Sequence, residues 1–121
     1  MTNPPDIAHP DSRTEVVIVG RLGSRVDRRT LPSGDVVTVF TVVVDRPTSR
    51  ARPLVAKRGA TIDAIACQTF RVPVTRRLES MEPGTWVRVE GTLRRRFWRS
   101  PGGLGSAMEV EVDRIVRQRR S

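Results

Sequence analysis

The sequence predicts an all-β chain: a five-stranded Greek-key barrel with one short helix between strands three and four. Three observations predict it. One N-terminal run, "DVVTVFTVVVD", is dominated by β-branched residues, which favour strand over helix, and "EVVIVGRLG" before it alternates in the period of a strand. One segment, "VPVTRRLESM", switches to helical spacing before two more strand-like runs follow. Finally, 121 residues suffice for one hydrophobic core and not for two.

Residues 1–13 are rich in proline and polar side chains, a composition that buries too little to order itself, and are expected to form a flexible arm. The first strand is expected over Glu15–Arg29. Its opening "EVVIVGRLG" sets Val16, Ile18, Gly20 and Leu22 on one face and Val17 and Val19 on the other, so both faces are expected to be covered. "LPSG" (Leu31–Gly34) then reads as a turn, with proline fixing φ and glycine supplying the left-handed position. The second strand, Asp35–Asp45, is β-branched at every position from Val36 to Val44 except Phe40. "RPTSRARPLVAKRGAT" (Arg46–Thr61) is too long for an ordinary hairpin loop. Its basic residues make it either functional or simply a mobile, solvated connection.

"IDAIACQTF" (Ile62–Phe70) is read as strand three, with Ile62 and Ala64 on its more apolar face. In the helix, Val74, Leu78 and Met81 fall at i, i+4 and i+7, Pro73 suits the first turn, and "EPG" ends it. Strand four is expected from Thr85, with "PGGLGS" (Pro101–Ser106) as a hairpin tip. Strand five places Met108, Val110 and Val112 inward and Glu109, Glu111 and Asp113 outward, and residues 118–121 belong to a basic tail. The succession β-β-β-α-β-β is that of an OB-fold, expected over residues 14–117. An SH3-like barrel, the structural rival, has no need of that helix.

Lys+Arg number 22 against Asp+Glu 13, a formal charge of +9 and a pI near 11.6. An arginine-rich genome explains why Lys57 is the only lysine, but it does not explain the excess of cations over carboxylates. Such a surface gathers polyanions. Cys67 is the only cysteine and lies in an apolar run, so it reads as a buried, inert thiol in a reducing compartment. With His9 as its only histidine, the chain cannot assemble a zinc shell, and no metal or cofactor is expected. No apolar run reaches the length of a signal peptide or membrane span, which points to a cytoplasmic protein. Nor is an enzyme expected: the one tidy acidic set, Glu109, Glu111 and Asp113, reads as a solvated or salt-bridged strand face.

"VEGTLRRRFWRS" (Val89–Ser100) is the segment that core packing does not explain. Val87, Val89, Gly91 and Leu93 share one parity and face the core. The opposite face carries Arg94, Arg96 and Trp98 in succession, provided no bulge intervenes. Arginines hold phosphates, and an indole stacks on any base, so this face suits single-stranded nucleic acid, whose bases are not already stacked in a duplex. Nothing in the residues separates DNA from RNA. The bland alternative is that Trp98 packs on the subunit beneath it while the arginines are solvated. Trp86, at the start of its strand, reads as structural.

"TEVVIVGRLG" (Thr14–Gly23), "LPSGDVVTVFTV" (Leu31–Val42) and above all "PGTWVRVEGTLRRRFW" (Pro83–Trp98) resemble the bacterial single-stranded DNA-binding protein family, SSB. The resemblance implies an OB-fold homotetramer that binds and protects single-stranded DNA without sequence preference in replication, recombination and repair. It implies stacking by Trp98 and phosphate contacts from Arg94 and Arg96. Arg99, and on the long loop Arg50, Arg52, Lys57 and Arg58, are further candidates for phosphate contact. The chain departs from the family where other aromatics are expected: Pro47, Ile62 and Gln68 stand there, and Phe70, two residues beyond Gln68, is the candidate substitute. Less stacking and more charge imply weaker, more salt-sensitive binding. The sequence stops at "VRQRRS" without the family's acidic tail, so the expectation is a short, tail-less auxiliary paralogue that does not recruit partners by that route. The alternative is a small, primosome-like OB accessory protein acting mainly through protein partners, in which case a dimer rather than a tetramer is expected.

Overall fold

The computed structural model describes residues 12–46 and 61–119. Strands β1 (Glu15–Thr30), β2 (Val36–Asp45) and β3 (Ile62–Thr69) come first, then helix α1 (Val72–Glu79), then β4 (Trp86–Ser100) and β5 (Gly103–Arg117). They close into a barrel in the order β1-β2-β3-β5-β4. This is the OB-type, all-β architecture predicted from the sequence.

Strand β1 is shared between two neighbours. Its first half pairs with β4, from Glu15↔Thr92 to Arg21↔Trp86, and its second half pairs with β2, from Arg21↔Val43 to Thr30↔Val36. Two glycines make the necessary close approaches possible. A Cβ at Gly20 would overlap the Val43 carbonyl oxygen, and one at Gly91 would overlap that of Glu111. Gly91 is also paired with Val16 on one side and Val112 on the other, beside the register shift between β4 and β5. A short parallel contact completes the closure, Cys67↔Val110 and Gln68↔Glu111.

Ile18, Leu22, Phe40, Val42, Val87, Val89, Val110, Val112 and Ile115 fill the interior, and Val74 and Leu78 of α1 cap one end. Pro73 occupies the first turn of that helix, as its fixed φ predicts. Among the described residues the buried hydroxyls are all partnered. Thr38 and Thr75 share a hydrogen bond of 2.8 Å, and Thr69 donates to the Val112 carbonyl at 2.9 Å while accepting from the Arg71 N–H. Polar groups therefore join helix to barrel without an unpaired buried hydroxyl.

Several details differ from the sequence reading. Strand β3 turns Ile65, Cys67 and Thr69 inward, leaving Ile62 and Ala64 on the outer face with Ala66 and Gln68. The inward alternation of β5 covers Val110 and Val112 and then slips at Asp113–Arg114, so that Ile115 becomes the next buried residue. Met108 has the inward parity yet is exposed, because it lies beyond the barrel where no opposing wall exists. The hairpin tip is also tighter than expected, since β5 begins at Gly103. In the single chain β1 is covered on one face only: Val17 remains 52% exposed and Val19 is also exposed.

Because a Cβ at Gly91 forces two strands apart, Gly91→Ala is expected to lower the unfolding free energy by about 1–3 kcal/mol. Gly102→Ala, in open space at the hairpin tip, is expected to leave the urea midpoint unchanged.

Candidate nucleic-acid interface

Beyond Leu93, β4 pairs with β5 alone, and the two strands continue as an exposed two-stranded arm from Arg94↔Glu109 to Ser100↔Gly103. The register runs without a slip along that length, so alternate residues define two faces. One face carries Arg94, Arg96 and Trp98 together with Glu109, Ala107 and Gly105 opposite them, as the parity of β4 predicts. The bulge that shifts β5 at Asp113–Arg114 lies below this face and does not disturb it.

Trp98 lies down on its partner strand. A Cβ at Gly105 would come within 2.5–2.6 Å of the indole Cε2, Cζ2 and Nε1 atoms, so only glycine leaves room for the ring there. The Arg96 guanidinium lies 5.0 Å from the ring centroid, within cation–π range. Trp98 remains 40% exposed in this position. The ring is thus held in place and still open to solvent, which lowers the ordering cost of a stacking partner.

The arginines of this face are not bare cations. Arg94 approaches Glu111 and Arg96 approaches Glu109, each at 3.6 Å, and Arg71 pairs with Asp113 at 3.3 Å. The outward acidic set of β5 is therefore salt-bridged, as expected from its alternation. Pairs this exposed are worth little individually. Glu109 is the exception, its side chain only 12% exposed beneath Arg96.

At the foot of the arm a groove of about 380 Å³ runs across the outer face of the barrel. Arg25 and Arg29 of β1, Val39 of β2, Gln68 of β3, and Arg96 and Glu109 of the arm line it. Arg25 and Arg29 were missed by the sequence reading. Their signal was present in "SRVDRR", where the alternation puts Arg25, Asp27 and Arg29 on one face. Cys67 lies at the groove floor, buried. Burial pushes its thiol up to about 12, with the charge of Glu109 as a second cause. The expected burial is the one observed, and it disfavours the thiolate that reactivity requires.

The other predicted site residues are dispersed. By alternation Arg99 falls on the opposite face of the arm from Trp98. Phe70 lines a separate hollow of about 360 Å³ near α1, with Arg28, Val36, Val72 and Arg76. Arg50, Arg52, Lys57 and Arg58 lie outside the described residues. Trp86 sits at the opposite end of β4, where the Arg21 guanidinium packs 5.9 Å from its ring and also bonds Asp45. That environment matches the structural role expected of it.

The model of the family described as the single-strand binding protein family matches residues 13–118. A single-stranded DNA-binding protein of Thermotoga maritima is 32% identical over 108 residues, covering 85% of this chain and 71% of that protein. One from Oceanobacillus iheyensis is 34% identical over 101 residues, covering 83% of this chain and 60% of that protein. Among solved structures, the Plasmodium falciparum SSB in complex with ssDNA aligns with a TM-score of 0.73 at 19% identity, covering 93% of this chain and 100% of that one. The mitochondrial single-stranded DNA-binding protein of S. cerevisiae aligns with a TM-score of 0.67, also at 19% identity, covering 91% and 99%. At such identities the structural likenesses establish the fold. The family match spans nearly the whole chain, which therefore belongs to the single-strand binding protein family.

Two outcomes are expected from this geometry. Gly105→Val lifts Trp98 off its bed, which a red shift and stronger iodide quenching of tryptophan emission would register. Cys67 also gives stability an alkaline limit. Well below pH 9.0 both folded and unfolded thiols hold their protons; as pH rises through 9.0 only the unfolded thiol ionises, so stability falls until the pH nears about 12. Urea midpoints measured on either side of pH 9.0 should show that Cys67→Ala removes part of this slope.

Proposed function

We propose that this chain binds single-stranded DNA without sequence preference and protects it during replication, recombination or repair. One observation carries the reading: Trp98, seated on Gly105 with Arg96 at 5.0 Å, continues into a groove lined by Arg25 and Arg29. A base stacks on the indole whatever its identity, and the arginines take the phosphates on either side of it. Duplex DNA offers neither an unstacked base nor a path for one strand along the groove. Membership of the single-strand binding protein family supports the same activity, and the comparisons do not favour the primosome-like alternative.

Phosphates must replace the carboxylates now paired with Arg94 and Arg96. Binding is therefore an exchange of ion pairs rather than a gain of new ones, which supports a weak and strongly salt-dependent interaction. The role assigned to β5's acids is to hold these arginines, and the activity is binding rather than catalysis. Phe70 is assigned to a longer path of the strand past α1, and Arg50, Arg52, Lys57 and Arg58 to phosphate contacts from the long connection. A homotetramer is the expected assembly, with a dimer as the alternative. The exposed Val17 and Val19 on β1 support burial of that face against another copy. A cytoplasmic, nucleoid-associated protein is the localisation that goes with this reading. No described helix is long and apolar enough to cross a membrane.

Titration with oligo(dT) in a Trp86→Phe background, where Trp98 alone reports, tests the reading. Strong quenching reversed by salt is expected, and Trp98→Ala, followed by the anisotropy of a dye-labelled oligo(dT), should weaken binding by about 1–3 kcal/mol. Arg96→Ala should reduce the slope of log affinity against log salt by roughly 0.7. Equal binding of a duplex of the same length would sink the proposal.

A further inference from the structure

The arm has a second face, and it is the less neutralised of the two. Arg95, Phe97 and Arg99 alternate with the residues of the groove face, and opposite them on β5 lie Met108, Ser106 and Leu104. None of these is acidic. Arg95 bonds the Ser106 hydroxyl at 3.3 Å, and among the described residues neither Arg95 nor Arg99 has a carboxylate partner. On the groove face, by contrast, both arginines are paired with glutamates. Phe97, flanked by these two cations, is 65% exposed, and Leu104, diagonal to it, is 74% exposed.

Resting on the reading of the groove face as a single-strand site, we propose that Arg95, Phe97 and Arg99 form a second single-strand contact on the opposite face of the same arm. Three features identify the occupant as nucleic acid rather than protein. The cations are uncompensated, so a phosphate gains attraction without first displacing a carboxylate. The aromatic stands between two arginines at alternate strand positions, about 6.5 Å from each, so one ring is bracketed by two cations, whereas the groove face sets both its arginines before the ring. Leu104 and Met108 lie diagonal to Phe97, an apolar floor for a base stacked on the ring. A strand already held at Trp98 reaches this face by passing round the arm. The second contact is then intramolecular and strengthens binding only for strands long enough to span both faces.

The experiment compares a short oligo(dT), read by Trp98 quenching in the Trp86→Phe background, with a long one, for the parent protein, Phe97→Ala and Arg95→Gln/Arg99→Gln. All three side chains are outside the core, so both variants should fold, as circular dichroism will verify. The expected result is unchanged quenching by the short strand and roughly tenfold weaker affinity for the long one. Long-strand affinity equal to the parent's would overturn the proposal. A smaller mass in solution for Phe97→Ala would overturn it too, since the face would then be covered by a second copy. Loss of Trp98 quenching by the unaltered protein would instead remove the groove-face reading on which this one stands.

Discussion

The structure depends on two places where strands approach too closely for any side chain. At Gly20 β1 leaves β4 for β2, and at Gly91 β4 is pressed between β1 and β5. These corners let a small sheet curl far enough for β3 to meet β5, a contact of only two parallel residue pairs. Closure in turn decides where β4 and β5 leave the barrel, and hence where the arm begins. A basic, aromatic ribbon has a defined position over the groove only because the strands beneath it bend at fixed points.

Electrostatically the interface is a compromise. In the free chain the carboxylates of Glu111 and Glu109 offset the repulsion between Arg94 and Arg96, two residues apart on one strand. On the proposed function, the same carboxylates oppose incoming phosphates. Glu109, largely covered, also bears on Cys67, so the groove floor combines a low-dielectric wall with a fixed negative charge. The positive charge of the chain is thus unevenly available, being partly spent on ion pairs within the protein.

The sequence revealed β4 well because its polarity alternates without ambiguity: valine, glycine and leucine on one parity, arginine and tryptophan on the other. It was less informative where both parities look alike. In β3, Ile62, Ala64, Ile65, Ala66 and Cys67 are all apolar or small, and only pairing with β2 decides which of them face inward. The slip in β5 involves Asp113 and Arg114, two polar neighbours that mark no face. Met108 had the right parity, but alternation cannot say where a barrel wall ends. The bed beneath Trp98 required the cross-strand register, and with Gly102, Gly103 and Gly105 so close together the sequence could not choose among them.

The open end of the barrel carries one further arrangement. Where β2 ends and β3 begins, the Arg46 N–H donates to the Thr61 carbonyl at 2.8 Å, and the Arg46 guanidinium pairs with Asp63 at 2.7 Å. That hydrogen bond holds the Asp63 carboxyl below the usual carboxylate range. The two ends of the intervening connection are thereby clipped together, whatever lies between them. Chain length at this point is mechanically decoupled from the barrel. For loops in general, once the ends are fixed, each doubling of length adds only about 0.6 kcal/mol of closure entropy. Evolution can lengthen, shorten or redecorate this connection without renegotiating the core, and a protein engineer seeking a place to graft a peptide or a label has the same freedom.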